Sequence, residues 1–397
     1  MSAAALRARR PAHRPSRARW RVGLVAGLIG LLPGVMELSP GLAWGQSPAS
    51  QPVASFPATP SATSTSPAPF TATRAAEPSS APSPAPGPAA TAVEPAGAVT
   101  LVFAGDVVLD DTAGALIERG GDPLAAFADV FAAADIRAAN LECVVATIGH
   151  AGDKVYTFRA HPRVLPVLRR HLDALALANN HSGDYGREAF AQMLTLLPQA
   201  GLGFFGGGHD LSQAHQPLLI ERGGLRIALL GYNEFMPRRF EADADAPGIA
   251  WSEDAQVRED IRAARSRHRA DLVIPVMHWG WENEPHANAR QRALARLMIA
   301  AGADAVIGGH PHVTQDIELI DGRPVIYSVG NFVMKETDNA AQRRGWLLRL
   351  RLDRAGVRAF DAVAAQLDAD GLPHRARGTP TPCWQRGATA VGQCPSE

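Results

Sequence analysis

Leu272-Val273-Ile274-Pro275-Val276-Met277-His278 is an apolar run that stops on a histidine. Its length and β-branched content predict a buried strand. Its last residue puts an imidazole where that strand gives way to a loop. The same arrangement recurs along the chain. Val99–Ala104 leads to Gly105-Asp106, Ile136–Asn140 to Leu141-Glu142, and Ala174–Ala178 to Asn179-Asn180-His181. Ala305–Ile307 leads to Gly308-Gly309-His310-Pro311-His312. Further strands are expected at Ile227–Gly231, Val325–Ser328 and Trp346–Leu352. Helices are expected at Pro162–Arg170, Tyr185–Ala200, Ala255–Arg267 and Ala289–Gly302, with Gly201 and Gly302 as terminators. Alternating β and α segments predict an α/β layered fold. In such sheets ligands gather at the C-terminal ends of the strands, and the polar clusters lie there. There is no internal repeat.

Each cluster has a chemical reading. His310 and His312, stiffened by Pro311, present two imidazoles to one ion or straddle two. His278 is expected to join them from a neighbouring strand. Asp106 and Glu142 offer carboxylates, and Glu142 suits a bridge between two cations. Asn180 is a weaker ligand type, and alone its motif reads equally well as a turn. His181 reads as a ligand, a proton donor or a stabiliser of developing charge. Asp184 either orients His181 or caps the helix that starts near Tyr185. Glu282 and Asn331 are expected to line the pocket, and Arg159 to pair with an anionic substrate. Mixed imidazole and carboxylate donors suit Mn, Fe or Zn better than Ca, so one or two divalent ions are expected.

The chain has 397 residues, with 39 basic and 39 acidic side chains. That balance hides an asymmetry. Residues 1–45 hold seven Arg and one acid, so the remainder carries 32 basic against 38 acidic residues. A mildly acidic body has no electrostatic footprint for nucleic acid. The basic start, the apolar run Val22–Val35 and Ala43-Trp44-Gly45 read as a signal peptide over 1–45. The run is too short for a bilayer span, so membrane contact is expected only if that segment stays uncleaved. Residues 46–97 are rich in Pro, Ala, Ser and Thr and are expected to form a disordered linker. The folded domain is expected over 98–368, with an irregular tail over 369–397. The expected destination is the periplasm or cell envelope. Three cysteines exclude a thiolate zinc site. Cys383 and Cys394 are expected to pair if exported, and Cys143 to be a buried thiol.

The motifs Gly105-Asp106, Asn140-Leu141-Glu142, Asn179-Asn180-His181-Ser-Gly-Asp184, His278-Trp-Gly-Trp-Glu282, His310-Pro-His312 and Gly330-Asn331 occur in an order that resembles the capsule-synthesis protein CapA family. That family is linked to poly-γ-glutamate capsules and is similar to the calcineurin-like metallophosphatases. The resemblance covers about residues 98–335. It implies a four-layer α/β/β/α sandwich with two mixed β-sheets. It also implies one ion held by Asp106, Glu142 and His312, and another held by Glu142, Asn180, His278 and His310. The related phosphatases carry a histidine two residues after the first aspartate, where this chain has Val108.

Three functions follow as expectations. The first is metal-dependent hydrolysis of a phosphoester or of an anionic capsule-type polymer, with His181 and Asp184 as catalytic residues. The second is hydrolysis or transfer of a γ-glutamyl amide. The third is a non-catalytic component that binds or helps export the polymer beside other cell-envelope biosynthesis proteins.

Overall fold

The computed structural model describes residues 98–236 and 238–397. The chain divides after residue 85, and all described residues fall in the second unit. The signal peptide and linker expected over 1–97 lie outside the described residues.

Side-chain alternation along the first strand, Val99–Val107, explains the layers. In a strand, successive side chains point to opposite faces. Leu101 and Phe103 share a core with Ile227, Leu229 and Ile274 of a second sheet. Val102 and Ala104 instead join Leu168, Phe190 and Met193 from the helices Leu165–His171 and Gly186–Gln199. The second sheet repeats the rule. Ala228 and Leu230 of the strand Leu225–Asn233 share a core with Val257, Ile261, Leu294 and Met298. Those four come from the helices Asp254–Ser266 and Ala289–Ala301. Two sheets therefore face each other across one apolar core, and each is covered outside by helices. This is a four-layer α/β/β/α sandwich.

Both sheets are mixed. In the first, Val99–Val107, Ile136–Leu141, Ala174–Ala176 and Gly203–Phe205 run parallel, and Arg344–Asp353 joins Val99–Val107 antiparallel. In the second, Leu225–Asn233, Leu272–His278, Val306–Gly309 and Arg323–Ile326 run parallel. Antiparallel strands, Leu218–Arg222 and Ile317–Ile320, close its edges.

Pro275 sits inside the central strand Leu272–His278, where its missing N–H ought to break a ladder. The main-chain N–H of Val273 goes to Asp304 Oδ2 at 2.7 Å. Position 275 therefore aims the same way, toward the start of Val306–Gly309. Pairing with that strand begins only at Val276 opposite Ile307, so Pro275 falls just ahead of that ladder rather than inside it.

Residues 369–397, expected to be irregular, instead supply three strands. Pro373–Arg375 and Pro380–Gln385 pair with Gly356–Leu367, and Gly392–Pro395 forms a hairpin with Pro380–Gln385. The Pro and Gly content misled because Pro373–Arg375 and Gly392–Pro395 are edge strands, where a missing N–H can face solvent, and Pro380–Gln385 is held between Gly356–Leu367 and Gly392–Pro395. A Cys383–Cys394 disulfide ties the hairpin. Among the described residues, no helix is long and apolar enough to cross a membrane.

Candidate metal centre

The polar strand ends meet because the parallel strands of both sheets finish on the same side. Asp106 is placed by a register shift between Val99–Val107 and Ile136–Leu141, which sets it opposite Asn140 on one side and Asn331 on the other. A bulge of this kind re-aims a side chain. Gly105 is required there, since a Cβ on it would stand 1.9 Å from the Gly330 carbonyl oxygen. Gly309 serves the carboxylate itself, because a Cβ there would lie 2.8 Å from Asp106 Oδ1.

Glu142 is the centre of the cluster. It is fully buried, and neither Oε1 nor Oε2 has a hydrogen-bond partner. His278 Nε2 lies 3.4 Å from Glu142 Oε1, and His312 Nε2 lies 3.8 Å from the same oxygen. His278 Nε2 is also 2.6 Å from Asn180 Oδ1 and 3.1 Å from His310 Nδ1. His312 Nδ1 is 3.5 Å from Asp106 Oδ2. Two donor groups result, Glu142–His278–His310 and Asp106–Glu142–His312, each with ligand atoms within 4.8 Å of one another. Asn180 borders the first group, and Glu142 belongs to both.

A buried carboxylate with no hydrogen bond to either oxygen costs several kcal/mol unless positive charge compensates it. The residues present therefore fit a divalent cation in each group, with Glu142 shared. The electrostatics agree. Burial alone would raise the Asp106 carboxyl, but the bond with His312 and the charge of His278 hold it below the ordinary aspartate range. Burial opposes a charge on His312, yet Glu142 and Asp106 lift its pKa to about 10. Burial and the neighbouring His278 and His312 push His310 well below the usual histidine value. Backbone strain marks the same residues. His310 and His312 adopt φ of 94° and 57°, in the left-handed region that costs a non-glycine residue about 1–3 kcal/mol.

A second layer of side chains orients the first. Asn140 Nδ2 donates to Asp106 Oδ1 at 2.8 Å, and Asn179 Nδ2 donates to Asn140 Oδ1 at 3.1 Å. His312 Nδ1 lies 2.9 Å from Asn331 Oδ1, and Asn331 Nδ2 donates to the Gln342 carbonyl at 2.9 Å. Asn331 is buried, so the expectation that it lines a substrate pocket is corrected. It holds His312. Val108 is also buried, within the core against the helices of the first sheet. It follows the end of the strand Val99–Val107 and belongs to neither donor group, so Asp106–Glu142–His312 carries one imidazole.

His181 stands beside this cluster, stacked on Phe158 with ring centroids 4.2 Å apart. Its Nδ1 lies 2.7 Å from Asp184 Oδ2, which also accepts the Phe158 N–H at 2.7 Å. The helix Gly186–Gln199 receives no side-chain cap from Asp184, its N-cap being Tyr185. Of the two roles open to Asp184, the structure places it on His181.

Arg159 is drawn away from the centre. Its guanidinium lies over the Tyr185 ring, 4.2 Å from the centroid, and donates to the Ile148 and Gly149 carbonyls at 3.3 Å. The expected anion contact is corrected accordingly. Glu282 does line a cavity of about 320 Å³ next to the cluster, with Lys154, Tyr156, Asn180, His181 and Arg239. A larger cavity of about 780 Å³ lies elsewhere, beside His215 and the helix Asp254–Ser266. The convergent donors adjoin the smaller one. Cys143, next to Glu142 in sequence, is an inert thiol, because burial pushes its pKa up to about 12.

Lys154 and Asn140 escaped the sequence reading as site residues. Lys154 Nζ lies 2.6 Å from Asp184 Oδ1 and 2.9 Å from the Asn180 carbonyl oxygen. One signal existed. Lys154 and Lys335 are the chain's two lysines among 39 basic residues, and both approach Phe158 or its neighbours. Asn140 was visible only as part of a motif.

The family model for the bacterial capsule synthesis protein PGA_cap matches residues 100–336. The chain is 30% identical over 267 residues to the PGA biosynthesis protein CapA of Bacillus subtilis, covering 66% of this chain and 70% of that one. It is 32% identical over 208 residues to the capsule biosynthesis protein CapA of Bacillus anthracis, covering 50% of this chain and 48% of that one. A solved structure of the sulfate thiohydrolase SoxB of Thermus thermophilus is 15% identical, with a TM-score of 0.41, over 70% of this chain and 58% of that chain. Similarity at that level carries nothing about chemistry.

Proposed function

The chain belongs to the bacterial capsule synthesis protein family, and from that premise we propose that it is an exported, divalent-metal-dependent hydrolase of a phosphoester or an anionic capsule-type polymer. The observation that carries the reading is Glu142, a buried carboxylate with no hydrogen bond to either oxygen, between two sets of imidazole and carboxylate donors. Asp106, Glu142 and His312 would hold one ion, and Glu142, Asn180, His278 and His310 the other. Ions there supply Lewis acidity toward an ester or amide oxygen.

The chain's own residues do the rest. Asn140 keeps Asp106 Oδ1 engaged and Asn331 fixes the His312 ring, so the donors are held before substrate arrives. Asp184 Oδ2 stands as the acceptor for an Nδ1–H of His181, an arrangement that leaves Nε2 as the atom able to exchange a proton with the leaving group. Phe158 fixes the plane of that ring. The Cys383–Cys394 disulfide supports export, since such bonds persist in oxidising compartments.

The test uses the purified full chain loaded with Mn²⁺, Fe²⁺ or Zn²⁺. Hydrolysis of bis(p-nitrophenyl) phosphate supports phosphoesterase chemistry, and shortening of poly-γ-glutamate supports cleavage of a γ-glutamyl amide. Absence of both with all three metals overturns the hydrolase reading. Elemental analysis beside His310→Ala decides the metal reading, with ions expected in the wild type and fewer in the variant.

A further inference from the structure

We propose that Lys154 and Arg239 form an oxyanion subsite in the cavity of about 320 Å³ beside the metal centre, which selects substrates carrying a second anionic group. The inference rests on the metal-centre reading for its position and deepens it by naming the substrate class.

Counting hydrogen-bond donors leads to it. A lysine ammonium has three N–H donors and no acceptor. Lys154 gives one to Asp184 Oδ1 and one to the Asn180 carbonyl oxygen. His181 Nδ1, 3.4 Å away, spends its own proton on Asp184 and accepts none. One Lys154 N–H therefore remains, on a side chain that lines the cavity. Arg239 lines it too, and among the described residues its guanidinium has no partner. Arg187 touches only its main-chain carbonyl. The Asn180 amide N–H₂ is also without a partner there. Arg239, Lys154 and Asn180 thus bring unspent donors to the lining of a cavity whose size suits a small ligand.

These donors call for oxygen acceptors, and an anion gains the most, because charge-assisted bonds are about twice as strong as neutral ones. Lys154 and Asp184 offset each other's charge, and Asp184 is also bonded to His181, so Arg239 carries the net positive charge on this wall while Lys154 adds a donor. Glu282 is the acid opposing it, exposed at the cavity mouth. Tyr156 and Met236, exposed at 66% and 62%, line the same cavity. They offer an apolar wall to whatever links the two anionic groups. This is the anion contact that Arg159, stacked on Tyr185, does not make.

Phosphate and carboxylate chains share this chemistry, and two probes separate them. Pyrophosphate and tri-γ-glutamate are titrated calorimetrically into the full chain, both metal-loaded and EDTA-treated. Arg239→Gln is the decisive variant because its side chain holds nothing else. It should weaken whichever probe binds by about tenfold, the worth of one charge-assisted bond. Lys154→Gln should do the same and Lys154→Arg should restore binding, while Glu282→Gln should tighten it. Metal content by elemental analysis should not change in Arg239→Gln. Affinities within twofold of wild type in Arg239→Gln and Lys154→Gln overturn the proposal, as does failure of both probes to bind either form. A wild type that holds no ion, yet loses anion affinity in these variants, sinks the metal reading and leaves the subsite standing.

Discussion

Glu142 concentrates the chemistry of this protein in one side chain. A carboxylate taken out of water and given no hydrogen-bond donor is tolerated only if something else supplies positive charge. In Glu142→Gln that requirement disappears along with the shared ligand. The wild type should gain about 2.7 kcal/mol of stability when the ion stands at a hundredfold its Kd. Glu142→Gln should gain nothing, and its chelator-treated form should melt no lower than the wild type's. Thermal melts with and without chelator measure both. Asn331 acts one layer out. Removing its oxygen frees the His312 ring, so Asn331→Ala should weaken metal affinity by about 10–100-fold. A metal titration followed by elemental analysis checks this. Residue types at strand ends made Asp106, Glu142, His278, His310 and His312 legible in the sequence, because a charged or imidazole group after an apolar run has few structural uses. Asn331 and Arg159 were misassigned for a physical reason. An amide or guanidinium has several adequate partners, and only packing decides which one it meets.

At the scale of elements, the strand and helix positions follow from periodicity, and the departures have local causes. The strand expected at Ala174–Ala178 stops at Ala176, where the chain turns toward Asn179 and Asn180. The helix Ala289–Ala301 begins with a capping box, Asn288 to the Gln291 main chain and Gln291 back to Asn288, and ends on Gly302 with φ of 118°. Both signals stand in the sequence. Asn288→Ala should cost about 1 kcal/mol, read as a shift in denaturant midpoint, with metal content unchanged because no ligand sits on this helix. Less visible was the bulge before Asp106, which depends on the approach of Gly330 from a strand more than two hundred residues later in the chain.

At the scale of the whole molecule, the last strands extend the first sheet, and the disulfide ties the two strands of their hairpin to each other. Replacing Cys383 and Cys394 by serine should destabilise the hairpin and the edge beneath it by about 2–4 kcal/mol. The measurement is a thermal melt in oxidised and reduced buffer, and the bound metal should be unaffected. By itself the sequence determined the α/β class, the strand ends and the family, because apolar period and the order of polar motifs are local properties of a chain. Only the tertiary structure decided that Asp106, Glu142, His278, His310 and His312 close around a shared carboxylate, that Arg159 is spent on Tyr185, and that Lys154 and Arg239 are left facing a cavity. Those outcomes depend on which donors meet which acceptors once two sheets pack, a competition among distant groups that no local pattern records.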